Sequence, residues 1–347
     1  MDAISQLNVL PRILAPWKRY GDKLYNFESG PHTKNFAKAK KSPSWNWCKQ
    51  VSSKPESDSI TRLELAYSVG NTYIAGIDTA SNTLEYCILA PVLHPGIVQN
   101  AQVELHTIVG PNRFPNFKDK DHLPYVAAFV KEVLRWRPLL LCGMPHATTE
   151  EDEYMGYRIP KGAVVMGVSW AVSRDESVFS DPEEFNPDRW IQNVDLPLGI
   201  AWGWGRRACP GRYIAYNSLF IIVARILWAF DIKRPCEFVD GKRVEVEIDP
   251  LARTEGLSSA PEPFEVVFKA RTEMAKEVVR REWNDAERTV DTILERIGNA
   301  QVDLKATNDL YVLLVEIEEE RDDYNMIRQA EGTYRPCIYS CVSLCWN

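Results

Sequence analysis

Apolar residues at helical spacing dominate the chain, and a few short β-rich segments bounded by Gly or Pro interrupt them. The run from Thr61 to about Ala90 predicts one long helix, with Pro91 just beyond it. Ala101–Val109 predicts a short helix. Tyr125–Trp136 predicts another, closed by Pro138. Arg212–Leu227 has no Gly or Pro and is apolar on nearly every side, which predicts a buried helix. Short strands are expected at Gly156–Ile159 and Ala163–Val168, with a helical turn over Trp170–Asp175. Val244–Ile248 and Phe264–Phe268 read as a strand pair. Residues 1–59 read as mixed helix and loop, with Pro11, Pro16, Pro31, Pro43 and Pro55 as breakers. Thr272–Ile297 places Val279, Trp283, Ala286, Val290, Ile293 and Ile297 near helical spacing, and Asp303–Met326 reads as a further helix. The fold class is therefore mainly α with small β-sheets.

Composition narrows the function. The 347 residues are 45% hydrophobic and 26% charged, enough for a large core in one or two globular domains. The formal net charge of −7 argues against nucleic acid as a partner. Ten basic and sixteen acidic residues fall from Arg271 onward, so most of the acidity lies there. This suggests a body over 1–270 and an acidic helical extension over 271–347. The eight cysteines (Cys48, Cys87, Cys142, Cys209, Cys236, Cys337, Cys341, Cys345) are scattered, without a disulfide-like framework or a signal peptide. An intracellular, reducing compartment is expected. No apolar run of about 20 residues is present. Cys337, Cys341 and Cys345 recur every four residues, without the Cys-x-x-Cys spacing or a nearby histidine that a zinc site favours.

The segment Trp202-Gly-Trp-Gly-Arg-Arg-Ala-Cys-Pro-Gly211 carries the sharpest chemistry. A buried thiolate needs its charge offset, and backbone N–H groups supply that if the chain curls around the sulfur. Gly205 and Gly211 permit such curling. The helix expected from Arg212 would turn its N-terminal dipole toward Cys209. Arg207 stands where it could meet an anion by charge-assisted hydrogen bonds. A structural cysteine in a Gly-rich turn is the plainer alternative. Glu132 and Arg135 are three apart and share a helix face, as ordinary surface pairs also do.

These residues resemble the cysteine-loop signature of the cytochrome P-450 family, Phe-x-x-Gly-x-Arg-x-Cys-x-Gly, with Trp202 in place of Phe. Lys131-Glu-Val-Leu-Arg135 resembles the family's Glu-x-x-Arg pair. Phe185-Asn-Pro-Asp-Arg-Trp190 resembles the segment that adds a second arginine. Ala75-Gly-Ile-Asp-Thr79 resembles the oxygen-binding groove of the long central helix. The wording of Asp121–Tyr125, Pro145-His146 and Gly156–Gly162 is similar to fungal enzymes of secondary metabolism. The resemblance runs over residues 8–270 and implies the C-terminal part of the P-450 fold plus a helical extension. By the family's plan, the membrane anchor, the first helices, most of the sheet and a haem-gripping helix would precede it. Members usually sit at the endoplasmic-reticulum membrane; this chain shows no anchor.

The resemblance implies a haem-thiolate monooxygenase. Cys209 would be the axial ligand to the iron of haem b, covered by Trp202 and framed by Gly205 and Gly211. Arg207 and His146 would meet the propionates. Asp78 and Thr79 would relay protons, and Glu132, Arg135 and Arg189 would form a structural network. Electrons would come from NADPH through the P-450 reductase, docking near Arg206 and Arg212. Ala75, Leu139–Met144 and Gly256–Ala260 would contact an apolar small molecule. A truncated family member without oxygenase activity is the alternative. Non-oxidative chemistry on the same fold is a third reading, which the Asp78-Thr79 pair disfavours.

Overall fold

The computed structural model describes residues 11–239 and 242–302. Its helices are α1 (Pro16–Lys41), α2 (Trp47–Ser52), α3 (Arg62–Leu93), α4 (Pro95–Val109), α5 (Pro124–Trp136), α6 (Ser169–Val172), α7 (Asp188–Gln192), α8 (Gly199–Trp202), α9 (Arg212–Ala229), α10 (Glu273–Asp285) and α11 (Val290–Val302). Four antiparallel strand pairs accompany them. They are β1 (His146–Ala147) with β4 (Val164–Val165), β2 (Asp152–Tyr154) with β3 (Tyr157–Ile159), β5 (Phe230–Lys233) with β8 (Val267–Ala270), and β6 (Cys236–Val239) with β7 (Lys242–Glu245). The mainly helical class with small sheets stands.

Two compact units emerge. One comprises residues up to Ala75 together with Thr289 onward through α11; the other runs from Gly76 to Arg288. In the first, Phe36 of α1, Cys48 of α2 and Leu65 and Ala66 of α3 form a small core. The His32 and Tyr67 rings meet at 4.6 Å. A Cβ at Gly70 would fall 2.1 Å from His32 Nδ1, so glycine there admits the imidazole. Trp45 packs close to Gly298 of α11, and Ser44 Oγ donates to Asp291.

The second unit holds the main core. Its α5 buries one face after another: Val126, Phe129, Val130 and Val133 have no exposed surface. Pro124 opens that helix, where a missing N–H costs nothing. Glu104 of α4 accepts from the N–H groups of Tyr125 (2.8 Å) and Val126 (3.0 Å), so a carboxylate caps the positive end of α5. α9 is buried over its second half through Leu219, Phe220, Ile221, Val223 and Leu227, while Tyr213 and Ile214 in its first turn are exposed, so the burial expected of the whole helix holds only from Leu219 on. Its two polar interruptions are partnered: Asn217 accepts from Lys120 Nζ, and Arg225 Nε donates to the Pro115 carbonyl at 3.2 Å.

Several expectations are corrected. Pro31 lies inside α1 and Pro91 inside α3, so neither breaks its helix. Thr33 Oγ1 bonds the Ser29 and Gly30 carbonyls beside the first gap. The His94 N–H resumes the ladder on the Ala90 carbonyl after the second. Val244–Ile248 and Phe264–Phe268 do not pair; β7 folds back on β6, and β8 joins β5. The single helix expected over Thr272–Ile297 is two, α10 and α11, and Trp283 is exposed where the spacing suggested burial. Asp303–Met326 and the cysteines from Cys337 onward lie outside the described residues.

Candidate active site

The most completely built polar cluster centres on Glu132 in α5. Its Oε1 accepts from Arg135 Nη2 (2.7 Å), Arg189 Nε (3.1 Å) and the Asn186 N–H (2.9 Å). Its Oε2 accepts from Arg135 Nε and from Trp190 Nε1, each at 2.9 Å. Glu132, Arg135 and Arg189 are 0%, 1% and 7% exposed. The donors left over reach carbonyls: Arg135 bonds Ser173, Pro182 and Glu184, and Arg189 bonds Ser180, Asp181 and Glu184. The three residues singled out in the sequence thus converge. Trp190 and Asn186 complete the shell, and only their place beside Arg189 in the sequence hinted at it.

The cysteine loop follows α8. Gly203 and Gly205 take positive φ (73° and 60°), the left-handed region that glycine enters freely. A 3₁₀ turn over Gly205–Arg207 then swings the chain back, and the Cys209 N–H donates to the Trp202 carbonyl at 2.7 Å. The half-buried Trp202 packs against the main core. Pro210 and Gly211 follow, and α9 starts at Arg212. A Cβ at Gly211 would lie 3.9 Å from Cys209 Sγ. The Arg212 guanidinium donates to the Cys209 carbonyl at 3.1 Å. Cys209 is a free, half-buried thiol.

Contacts link this loop to the other segments. A Cβ on Gly167 would fall 2.6 Å from the Trp204 ring, so the indole rests on that glycine. Gly143 sits equally close to the Gly167 carbonyl, with φ of 62°. The Leu139 carbonyl accepts from the Ser259 N–H at 3.0 Å. Asn82 of α3 donates to Ser258 Oγ at 2.9 Å, and Tyr86 Oη lies 3.5 Å from Ser259 Oγ. So Leu139–Met144, the turn at Gly256–Ala260 and the second half of α3 form one continuous wall, joined through Gly167 and Trp204 to the cysteine loop. Along it Met144, Val164, Met166, Val168, Trp204 and Leu257 expose apolar surface.

The remaining candidates sit as follows. Asp78 is exposed and Thr79 half-buried on α3, one turn before Asn82. Ala75 is exposed on the same helix but belongs to the first unit. His146 opens β1 and Arg207 closes the 3₁₀ turn; both are exposed. Distant polar groups missed by spacing alone, such as Asn82 with Ser258, needed the tertiary fold to be seen.

A haem fits what is present. A free thiol stands before a helix N-terminus, in a loop bent by two left-handed glycines. Two exposed cationic or titratable groups, Arg207 and His146, are available to carboxylates. An apolar belt of Met144, Val164, Met166, Val168, Trp204 and Leu257 is left exposed, the kind of surface an apolar macrocycle would cover.

The family model for cytochrome P-450 matches residues 32–295. The chain belongs to the cytochrome P-450 family. Among curated P-450 relatives, monooxygenase FrzL of Cladobotryum sp is 43% identical over 297 residues, covering 86% of this chain and 57% of that protein. Fumitremorgin C synthase of Aspergillus fumigatus is 39% identical, covering 80% of this chain and 54% of its own. The chain therefore spans a little over half the length of these fungal P-450 enzymes. A zebrafish cytochrome P-450 solved with abiraterone superposes with a TM-score of 0.61 at 28% identity, over 72% of this chain and 59% of that one. Haem is the cofactor the P-450 family implies. No helix among the described residues is long and apolar enough to cross a membrane.

Proposed function

We propose that this chain carries the haem-thiolate half of a fungal P-450 monooxygenase acting on an apolar small molecule, with haem b as cofactor. The observation that carries the reading is the Cys209 loop: a free half-buried thiol, reversed by Gly203 and Gly205 and set immediately before α9. The sulfur stands just before the N-terminus of α9, the positive end of that helix's dipole. Haem held through the Cys209 thiolate would supply dioxygen activation.

The chain's own residues have separable tasks. Cys209 holds the cofactor from one side, with Trp202 anchoring its backbone. Arg207 and His146 bind the carboxylates at the cofactor's rim. Asp78, exposed, takes protons from solvent, and Thr79, half-buried one residue on, passes them inward from its hydroxyl. Glu132, Arg135 and Arg189 tie α5 to the 180s segment and so keep the wall behind the cysteine loop rigid. Gly76 leaves room beside α3, while Leu139–Met144 and Gly256–Ala260 face the substrate. Electrons reach the site from NADPH through the P-450 reductase, docking on the basic side that includes Arg212.

The test is spectroscopic. The chain is produced with haem supply, reduced and exposed to carbon monoxide. A red-shifted thiolate Soret band is expected, and Cys209→Ala abolishes it while far-UV dichroism is kept. Absence of the band in the parent chain, or its persistence in the variant, overturns the assignment. A haem-loaded chain that gives the band yet consumes no NADPH with reductase present favours the inactive alternative.

A further inference from the structure

A second cleft lies away from the cysteine loop, where the α3–α4 junction meets the two C-terminal strand pairs. It encloses about 600 Å³. Its apolar base is Pro95, Pro235 and Val267, set over the buried Pro91, Val92 and Ile232, and the carboxylate in its lining is Glu245. Four cations face it: Lys233, Arg234, Arg243 and Lys269. The strand registers explain the convergence. Lys233 stands opposite Val267, and Lys269 lies two residues along the same face of the β5–β8 pair. On the β6–β7 hairpin, Glu245 pairs with Cys236, and Arg243 is again two residues along that face. Two sheet faces therefore present their basic side chains to one gap.

Among the described residues, none of these four side chains is in an ion pair or a side-chain hydrogen bond. Several other cations of this unit are partnered: Arg113 with Asp119, Arg174 with Glu183, Arg271 with Asp231. Four positive charges around a concave, partly apolar surface focus a field on it and favour an anion. The volume falls in the range of small-molecule sites, and Pro95, Pro235 and Val267, which keep accessible surface, offer contact to an apolar body.

We infer that this cleft binds an organic anion, a phosphate or comparable acidic group carried on an apolar ring. The acidic group lies among Lys233, Arg243 and Lys269, and the ring lies on Pro95, Pro235 and Val267.

Naphthyl phosphate, which is fluorescent, is the probe, titrated into the full chain. Its anisotropy rises to saturation, and added salt weakens the binding. The double variant Lys233→Gln/Arg243→Gln lowers affinity roughly tenfold, from the ordinary worth of two partly exposed charge contacts. Lys242→Gln, on the other face of the hairpin, leaves it unchanged. The probe also slows alkylation of the half-buried Cys236, read by peptide mapping, which localises the effect. Three results overturn the inference: no saturable binding at millimolar probe, equal binding of neutral naphthol, or equal binding by the double variant. Inorganic phosphate binding as tightly as the probe overturns the role given to the apolar base.

Discussion

Replacing Glu132 by Ala removes the centre of the buried network. Five hydrogen bonds end on its two carboxylate oxygens, from Arg135, Arg189, Trp190 and Asn186. Counted singly at about 1.5–3 kcal/mol each for bonds to a charged group, they would equal the whole stability of a domain, so simple addition is wrong. The governing term is different. The variant leaves two guanidiniums, 1% and 7% exposed, without a counter-charge. Their remaining acceptors are carbonyls, which satisfy donors without neutralising charge. Breaking one partner of such a buried pair costs about 3–5 kcal/mol. For a unit of this size each kcal/mol moves Tm by roughly 2–4 °C, so a fall on the order of 6–20 °C is expected. Glu132→Gln keeps the shape and one acceptor and should fall between parent and Ala. Trp190→Phe loses the indole bond, about 1.5–3 kcal/mol, and part of the packing against Ala128 and Phe179, but strands no buried charge. Thermal unfolding followed by near-UV dichroism orders the three. If Glu132→Ala lowered Tm by no more than Trp190→Phe, the uncompensated-charge argument would be wrong.

The other expectations are smaller in scope. Gly143→Ala forces a Cβ to 2.5 Å from the Gly167 carbonyl at φ of 62°, so it should destabilise by about 1–3 kcal/mol and loosen Trp204, seen as a shift in tryptophan emission. An unshifted spectrum and Tm would show that the 140s segment is not held there. His94, stacked on Phe185 at 5.0 Å with Nε2 unpartnered, has its pKa lowered first by burial and then by Arg137. The unfolded chain then takes the proton first as pH falls below about 6.5, so this group's contribution is full above that value and declines toward the depressed folded pKa. His94→Phe should flatten the stability profile between pH 7 and 5; an unchanged slope would assign the pH dependence to other groups.

Much of the fold was legible because period and burial coincide. The helices around Glu132 and after Cys209 carry strong apolar patterns, and both formed close to their expected bounds. Errors arose where a local rule met a tertiary contact. Pro31 and Pro91 each lack an N–H, yet a helix of 26 or 32 residues loses only one bond to either and keeps the rest. Strand pairing failed for another reason: both misassigned segments are β-rich, but partner choice depends on α9, whose C-terminal end becomes β5 and offers β8 its edge. Nothing in the spacing of Val244–Ile248 or Phe264–Phe268 contains that fact.

The site divides along the same line. The tight turn at Gly205 and the start of α9 just after Gly211 were legible because they are local, spread over ten residues. Glu132 and Arg135 could be paired by helix geometry, but the closing of their network could not. It needs the 180s segment to return so that Arg189 and Trp190 reach one carboxylate, which requires a contact across more than 50 residues of chain. The resemblance supplied Arg189; the indole of Trp190 came only with the fold. That difference explains why the network is the stronger stability test. Substituting Cys209 alters one half-buried side chain in a loop held by its own glycines and by the Trp202 carbonyl, so the loop should survive and only ligand chemistry should change. Substituting Glu132 leaves buried charges that no local adjustment can reach. A Cys209→Ala protein that folds and lacks the thiolate band, beside a Glu132→Ala protein that unfolds many degrees earlier, is the pattern this separation of roles requires. The reverse pattern would mean that the cysteine loop, rather than the carboxylate network, holds the unit together.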